Sequence, residues 1–428
     1  MTVLIIAACL ALLAVIVVQI GRLTELAAKI RGEEEVQYMT NRRNASFGMV
    51  FLVLFLVGCI GSALYYKNYL LGYGPHSAAS AHGAQLDDLF QITLFFTGIV
   101  FVLTQIALFW FAFKYQGTKD GKSEFISHDN KLEVIWTVIP AVVMVFLVVS
   151  GLFAWNEVMA DTDPTDVPKL VPAADSNEYL EIEATGYQFA WDIRYPGEDG
   201  KLGEKNFRLI SPGSNPLGQN WEDRKNIDDF MPLEIYLPVG REVRVRITSK
   251  DVLHNFYLPH FRVKMDAIPG LPTYFRFTPE VTTEEYRERL KNTPEYNIPD
   301  PDDATKMKWE TFDYELACAE LCGRSHFSMK RIVKVVSEEE YREWISKQQS
   351  LYKSSIRGTK DDPFIGEVLP YEIADRRISF NEKVEAALEA ENDSLKIVRL
   401  EHVNFETGSA RLTSNSKYEL QNVVDFLN

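Results

Sequence analysis

Apolar and polar positions divide the chain into two unlike parts. Up to about residue 155, four long apolar runs stand out, approximately Val3 to Ile20, Phe47 to Tyr66, Ile92 to Phe113 and Val134 to Trp155. A hydrocarbon core of about 30 Å needs about 20 such residues per helix, so four membrane-spanning helices are predicted. The first run has no basic residue ahead of it and no small-residue cleavage site behind it, which favours a retained helix over a secretory signal. From Tyr179 to about Val336 the period changes. Leu180-Glu181-Ile182-Glu183-Ala184, Leu233-Glu234-Ile235-Tyr236-Leu237 and Val243-Arg244-Val245-Arg246-Ile247 alternate as half-buried strands do. Pro196-Gly197, Pro238-Val239-Gly240 and Pro269-Gly270 break the runs, and an antiparallel barrel or sandwich is the expected fold class.

Two charged stretches, Glu198 to Asp229 and Thr282 to Trp309, lack alternation and read as surface insertions. Ser337 to Gln349 carries Tyr341 and Trp344 three apart among charged residues and reads as an amphipathic helix closing the β region. A polar linker follows, with a helix-like run near Val384 to Leu388, and Val398 to Asn428 reads as strand, turn and helix. The predicted divisions are a helix pair over 1–66, a second helix pair over 67–155, the β domain over 156–348, a linker over 349–397 and a small α/β extension over 398–428.

Charge then orients the spans. Arg22, Lys29, Arg31, Arg42 and Arg43 fill the first loop, and Lys114, Lys119, Lys122 and Lys131 the third, whereas Lys67 to about Asp88 holds a single basic residue. Both basic loops therefore belong in the cytoplasm, and both chain ends outside. The chain is acidic, with a net charge of −15, and carboxylates outnumber cations in the outer part. That balance suits a basic partner with salt-dependent association, and no nucleic-acid partner is expected.

The chain has four cysteines. Cys9 and Cys59 sit inside apolar runs, where small buried hydrophobes are expected. Cys318 and Cys322 fall in the outer region, where a close pair would ordinarily suggest a disulfide. Their surroundings point elsewhere: Cys318-Ala-Glu-Leu-Cys322-Gly-Arg-Ser-His326-Phe-Ser-Met329 places two thiols, an imidazole and a thioether within twelve residues. Soft sulfur with imidazole selects copper over hard cations, and a structural zinc site would more often offer a second histidine than a methionine. Two cysteines can complete the shells of two ions when each thiolate bridges both, with one terminal nitrogen per metal. His254, at the end of a strand in Ser249-Lys-Asp-Val-Leu-His254, and His260, six residues later, compete to supply the second nitrogen. His76 and His82 fall in the outer loop, His128 in a cytoplasmic loop and His402 in the tail, where solvated side chains are expected.

With Lys264-Met-Asp-Ala-Ile-Pro-Gly270, these two segments resemble the copper-A domain of cytochrome c oxidase subunit II. Asn130-Lys-Leu-Glu-Val-Ile-Trp-Thr-Val-Ile-Pro140 is similar to that family's second transmembrane helix, and Gly186-Tyr-Gln-Phe-Ala-Trp191 to its first strands. Five motifs in the family's order, over roughly residues 88 to 348, carry the resemblance. It implies a cupredoxin-like Greek-key barrel and an electron-accepting subunit of a respiratory oxidase in a bacterial inner membrane, with the copper domain in the periplasm. It further implies that Cys318 and Cys322 bridge two coppers, that His254 and Met329 complete one, and that His326 and the Glu320 carbonyl complete the other. The Glu320 side chain would reach a magnesium ion at the boundary with the catalytic subunit I. Bridging thiolates spread one electron over both ions, so little rearrangement accompanies reduction, and the weak thioether and carbonyl tune the potential. The implied donor is a c-type cytochrome. Asp251 and Asp266 match acidic docking positions, while Lys250 and Arg262 weaken the field locally, which suits a dedicated or tethered donor. Electrons would arrive past Phe189, where the family usually has Trp, or past Trp191. Glu133, at the mouth of the fourth span, matches the family's proton-pathway glutamate.

The chain also departs from the family. Four spans replace the usual two, and the additional pair is expected to pack against other oxidase subunits. No Cys-x-x-Cys-His follows Met329, so no fused cytochrome is expected. Val398 to Thr413 and the helical run to Leu427 resemble the opening of an OmpA-like domain, which implies a peptidoglycan tether; a plain strand-helix extension fits equally. Other readings keep the copper in a nitric oxide reductase, or use the thiols in a copper-delivery or wall-anchoring protein. The motif around Glu133 and Trp136 favours the oxidase.

Overall fold

The computed structural model describes residues 2–66, 78–159, 179–389 and 397–427. His76, with most of the expected outer loop, and the 390–396 part of the expected linker lie outside the described residues, as does the side chain of Cys9.

Four helices, α1 (Thr2–Arg31), α2 (Glu33–Tyr66), α3 (Ala81–Lys114) and α4 (Asn130–Met159), are long and apolar enough to cross a membrane. Their apolar side chains mostly face outward, as they must where the surrounding solvent is lipid. Cys59, expected to be buried, lies on this outer surface, its helix face uncovered among the described residues.

The β domain stacks two sheets, β2-β1-β4-β7 and β3-β9-β8-β5-β6. The first holds β1 (Leu180–Tyr187), β2 (Ala190–Arg194), β4 (Val243–Ser249) and β7 (Thr273–Phe277); the second holds β3 (Ile235–Pro238), β5 (His254–Leu258), β6 (Val263–Ala267), β8 (Tyr314–Cys318) and β9 (Lys330–Val336). Period-2 patterning decides which face is buried: Val243, Val245 and Ile247 are buried while Arg244 and Arg246 between them are not. The sandwich belongs to the expected all-β class, but its sheets are mixed. β1 pairs parallel with β4 and β3 parallel with β9, because the two strands of each pair are far apart in sequence and joined through intervening elements, not by a hairpin.

The segment before α3 ties the membrane helices to this domain. Ala79 N donates to His260 O at 2.8 Å, Glu280 N to Ala79 O at 2.9 Å, and Ser80 Oγ to Phe261 O at 2.6 Å. Arg262 then forks onto Asp87, with Nε at 2.8 Å and Nη2 at 3.0 Å from its two carboxylate oxygens. His82, expected in a solvated loop, sits instead in the first turn of α3, buried and 5.4 Å from the Phe275 ring.

Both expected insertions are more ordered than their composition suggested. Within the second, α5 (Thr283–Leu290) is closed by a Thr282–Glu285 capping box and buries Tyr286 and Leu290. α6 (Glu338–Ser346) forms where the closing helix was predicted, and its Trp344 stacks 4.7 Å from Tyr236. The first insertion joins the expected linker: Gly203–Asp229 and Gln349–Asn428 form a separate compact unit. Its core is Ile227, Tyr352, Ile356, Phe364 and Leu369. Tyr352 OH donates to Asp362 at 2.5 Å and Arg357 reaches both Asp362 and Glu372, so the early part of the linker is folded chain. Beyond it run α7 (Pro370–Glu389) and α8 (Ser416–Leu427). The strand expected from Val398 reduces to one Phe405–Leu412 bridge, since no neighbouring strand satisfies its backbone.

A buried ion pair anchors the first sheet. Arg194 Nε lies 2.9 Å from Glu183 Oε2, with both side chains almost fully buried, on paired positions of β1 and β2. Arg194→Met is expected to lower stability by about 3–5 kcal/mol by removing the nearest cation from a dry carboxylate. Thermal unfolding of the detergent-solubilised chain should fall by several degrees; an unchanged midpoint would contradict the assignment.

Candidate metal centre

Strand register brings the first two donors together. β5 runs antiparallel to β8 with Phe256 opposite Cys318, and His254, two residues before Phe256, shares its face. The chain then leaves β8 in a loop that a short 3-10 turn, His326–Ser328, folds back toward β9. Cys318 N donates to Met329 O at 3.2 Å, which closes the loop at its base. Gly323 sits at φ +138°, a conformation side chains disfavour, and a Cβ there would meet the Phe189 ring at 3.0 Å.

Every sequence-predicted ligand arrives at this loop. Cys318 Sγ lies 3.8 Å from His254 Nδ1 and 3.2 Å from Glu320 O. Cys322 Sγ lies 3.6 Å from His326 Nδ1 and 3.9 Å from Met329 Sδ, and the two sulfurs are 4.0 Å apart. A disulfide needs about 2.05 Å, so both cysteines are free. Bonds of about 2.3 Å to sulfur and 2.0 Å to nitrogen at tetrahedral angles put neighbouring donors roughly 3.5–3.8 Å apart. The observed spacings of 3.2–4.0 Å bracket that range. Among the described residues, His254, Cys318 and Cys322 form the cluster able to hold a metal. Their surroundings are dry on one side: His254, Cys318, Cys322 and Met329 are buried, while His326 is half-buried.

A hydrogen-bonded clamp that sequence reasoning did not identify holds the ligands. Asp251 Oδ1 accepts from His254 Nε2 at 2.9 Å, which leaves Nδ1 facing Cys318. Asp251 Oδ2 accepts from Gln188 N at 2.8 Å, and Gln188 Nε2 donates to Cys322 O at 2.5 Å. One carboxylate thus reaches both sides of the site. Burial pulls the Asp251 carboxyl upward, but the Gln188 N–H, the His254 ring and the Val252 N–H together hold it below its ordinary range. Burial and then the neighbouring Cys318 push the Cys322 thiol up to about 11. Metal binding would displace that proton, as thiolate ligation requires. Gly186 makes room for the imidazole: a Cβ there would stand 3.0 Å from His254 Cδ2. The sequence signal for this role of Asp251 is its position three residues before His254; the resemblance implied a docking charge there instead.

The remaining candidates separate cleanly. His260 is buried among Tyr286, Phe312 and Tyr314, with burial and then Arg262 lowering its pKa to about 4, and it offers nothing to the cluster. Met265 packs against the core. Trp191 is fully buried, edge-on to His254 at 6.1 Å and Phe256 at 5.7 Å, so it is not a surface contact. Phe189 is half-buried beside Gly323. Lys250 and Arg262 do not stand as open cations: Lys250 Nζ lies 2.5 Å from Asp192, and Arg262 holds Asp87. Asp266 is exposed and accepts from Asn255 at 2.7 Å. Glu133 is exposed in the first turn of α4, and His128 is exposed before it. His402 is half-buried in the second unit.

Comparison with known proteins follows the same division. Residues 69–153 match the family model for the cytochrome c oxidase subunit II transmembrane domain, and residues 180–280 that for its periplasmic domain. The chain is 31% identical over 303 residues to the alternative cytochrome c oxidase subunit 2 of Bradyrhizobium diazoefficiens, covering 70% of this chain and 92% of the relative. It is 25% identical over 285 residues to cytochrome c oxidase subunit 2 of Cereibacter sphaeroides, covering 64% and 79%. The periplasmic domain of subunit II of cytochrome oxidase from Bradyrhizobium japonicum aligns with 28% identity and a TM-score of 0.25, over 41% of this chain and 95% of that one.

The clamp makes a specific prediction. Asp251→Asn keeps the size but loses the charge that orients His254, and metal affinity is expected to fall about 10–100-fold. Competition with a chelator measures this, and an affinity equal to wild type would show that the carboxylate positions nothing.

Proposed function

Because the chain belongs to the cytochrome c oxidase subunit 2 family, and is the electron-accepting, membrane-bound subunit of a haem-copper oxidoreductase complex, we propose that a dinuclear copper-A centre is held by His254, Cys318, Cys322, His326, Met329 and the Glu320 carbonyl. One arrangement supports this most directly. Cys318 neighbours His254 and the Glu320 carbonyl, whereas Cys322 neighbours His326 and Met329. With His254 and Met329 as one terminal set and His326 and Glu320 as the other, each sulfur touches one member of each set. That is what two bridging thiolates require.

When bound, the copper pair supplies a one-electron carrier of small reorganisation energy. The chain's own residues provide the rest. The sandwich core keeps water from His254 and the sulfurs, Asp251 fixes the imidazole tautomer, and Met329, closed against the loop base, would offer a weak thioether donor. Glu320, half-buried just past β8, has a side chain available for magnesium at the boundary with subunit I. Leu321 and Phe327 are about four-fifths exposed beside the cluster, while Asp251 holds His254 and Asp266 pairs with Asn255, the residue after His254. An apolar contact rimmed by carboxylates suits a basic c-type cytochrome as donor. The basic loops support a cytoplasmic side for their ends of the spans, and the proposed setting is a bacterial inner membrane with the β domain in the periplasm. Glu133 then lies at the cytoplasmic end of α4, where it serves proton uptake.

The purified complex is expected to carry two coppers in this subunit with a delocalised mixed-valence paramagnetic spectrum. One copper per chain, or zinc alone, would overturn the dinuclear assignment. Cys322→Ser should abolish cytochrome c oxidation while the subunit still assembles in the membrane, and full turnover in that variant would exclude an obligatory role for the site.

A further inference from the structure

The second unit contains an open cleft of about 680 Å³ between the 209–222 stretch and residues 356–363. That volume lies in the range of sites that take small organic ligands. Its floor is fixed by internal bonds. Asn215 Nδ2 donates to Gln219 O at 2.9 Å and Gln219 N returns a bond to Asn215 Oδ1 at 2.8 Å. Asp362 is saturated by Tyr352, Arg357 and two backbone N–H groups. Gly218, at φ +68°, lies so close to Asn206 O that a Cβ would approach to 2.3 Å.

The rim is chemically different. Trp221 is half-buried, tilted 50° against Tyr352, and its indole lines the opening. Around it, Glu222, Lys360 and Asp361 make no ion pair among the described residues, and the Asn220 side-chain nitrogen has no acceptor there. A preformed floor beneath an aromatic face and open polar groups is what a ligand needs to bind without first reordering the protein.

The composition narrows the ligand. Two open carboxylates against one lysine disfavour phosphate and other anions. The acidic groups do not converge, since the described residues form no carboxylate cluster able to hold a metal. Too much of the lining is polar for a lipid tail. A neutral saccharide fits: its C–H face packs on an indole, and its hydroxyls pair with amides and carboxylates that need both donors and acceptors. We propose that this cleft is a saccharide-binding site, with Trp221 as platform and Asn220, Glu222 and Asp361 as hydroxyl partners. It is independent of the metal centre.

Isothermal titration of the intact, copper-loaded chain in detergent with the disaccharides chitobiose and cellobiose tests this. Saturable binding of at least one is expected, with a Kd of about 1 mM or tighter. Asp361→Ala and Asn220→Ala, both at the rim, should each weaken it several-fold, and Trp221→Ala at least 10-fold, with copper content unchanged. Absence of saturable binding to both sugars, binding indifferent to Asp361→Ala and Asn220→Ala, or equally tight binding of inorganic phosphate would each overturn the proposal.

Discussion

The antiparallel register of β5 against β8 is the constraint on which the proposed metal centre depends. It sets Phe256 opposite Cys318, and so puts His254 and Cys318, 64 residues apart in sequence, on one face of one sheet. A slip of one residue would turn either side chain to the opposite face. The remaining ligands are local: they lie within eleven residues of Cys318, on a loop whose base is closed by the Cys318 N to Met329 O bond. Long-range geometry is thus spent on one pairing, and the rest of the site follows from loop closure.

That division explains what could be read from the chain. The local cluster was legible because its donors are chemically unusual and closely spaced, and His254 was legible through the family's motif. Asp251 and Gln188 were not, because a carboxylate and an amide in polar loops look like any other surface residues until folding places them across the site. The spans and alternating strands declared themselves by period. The parallel pairings of β1 with β4 and β3 with β9 did not, since a strand's pattern records which face it buries and not the direction of its neighbour. The second unit was missed for a related reason. Its core joins Ile227 to Tyr352, Ile356, Phe364 and Leu369 across more than a hundred residues, and each piece alone is too polar to signal a core.

The two imidazoles meet unlike surroundings, and this gives the site a direction. His254 is fully buried, backed by Trp191 and tied to Asp251. His326 stands on the loop at the surface, next to the highly exposed Phe327. His326 is thus the imidazole open to solvent, whereas His254 is covered by sheet core. Phe189 lies against Gly323, one residue from Cys322, so an aromatic ring stands beside the loop, smaller than an indole and without an N–H to donate.

The same asymmetry bears on why the β domain is held so firmly to the membrane helices. Electron transfer falls steeply with distance, so a relay site needs a fixed spacing from its acceptor as well as a dry interior. The turn that carries Arg262 follows directly from β5, the strand that begins with His254. Its backbone accepts hydrogen bonds from Ala79 and Ser80, and Arg262 grips Asp87 in the second turn of α3 with two nitrogens. Arg262 adopts the left-handed conformation, φ 57°, that side chains ordinarily avoid, and the bidentate contact offsets that cost. The strand that supplies the buried ligand is therefore also the one pinned to the membrane, so displacement of the domain would have to break this joint before it could shift His254.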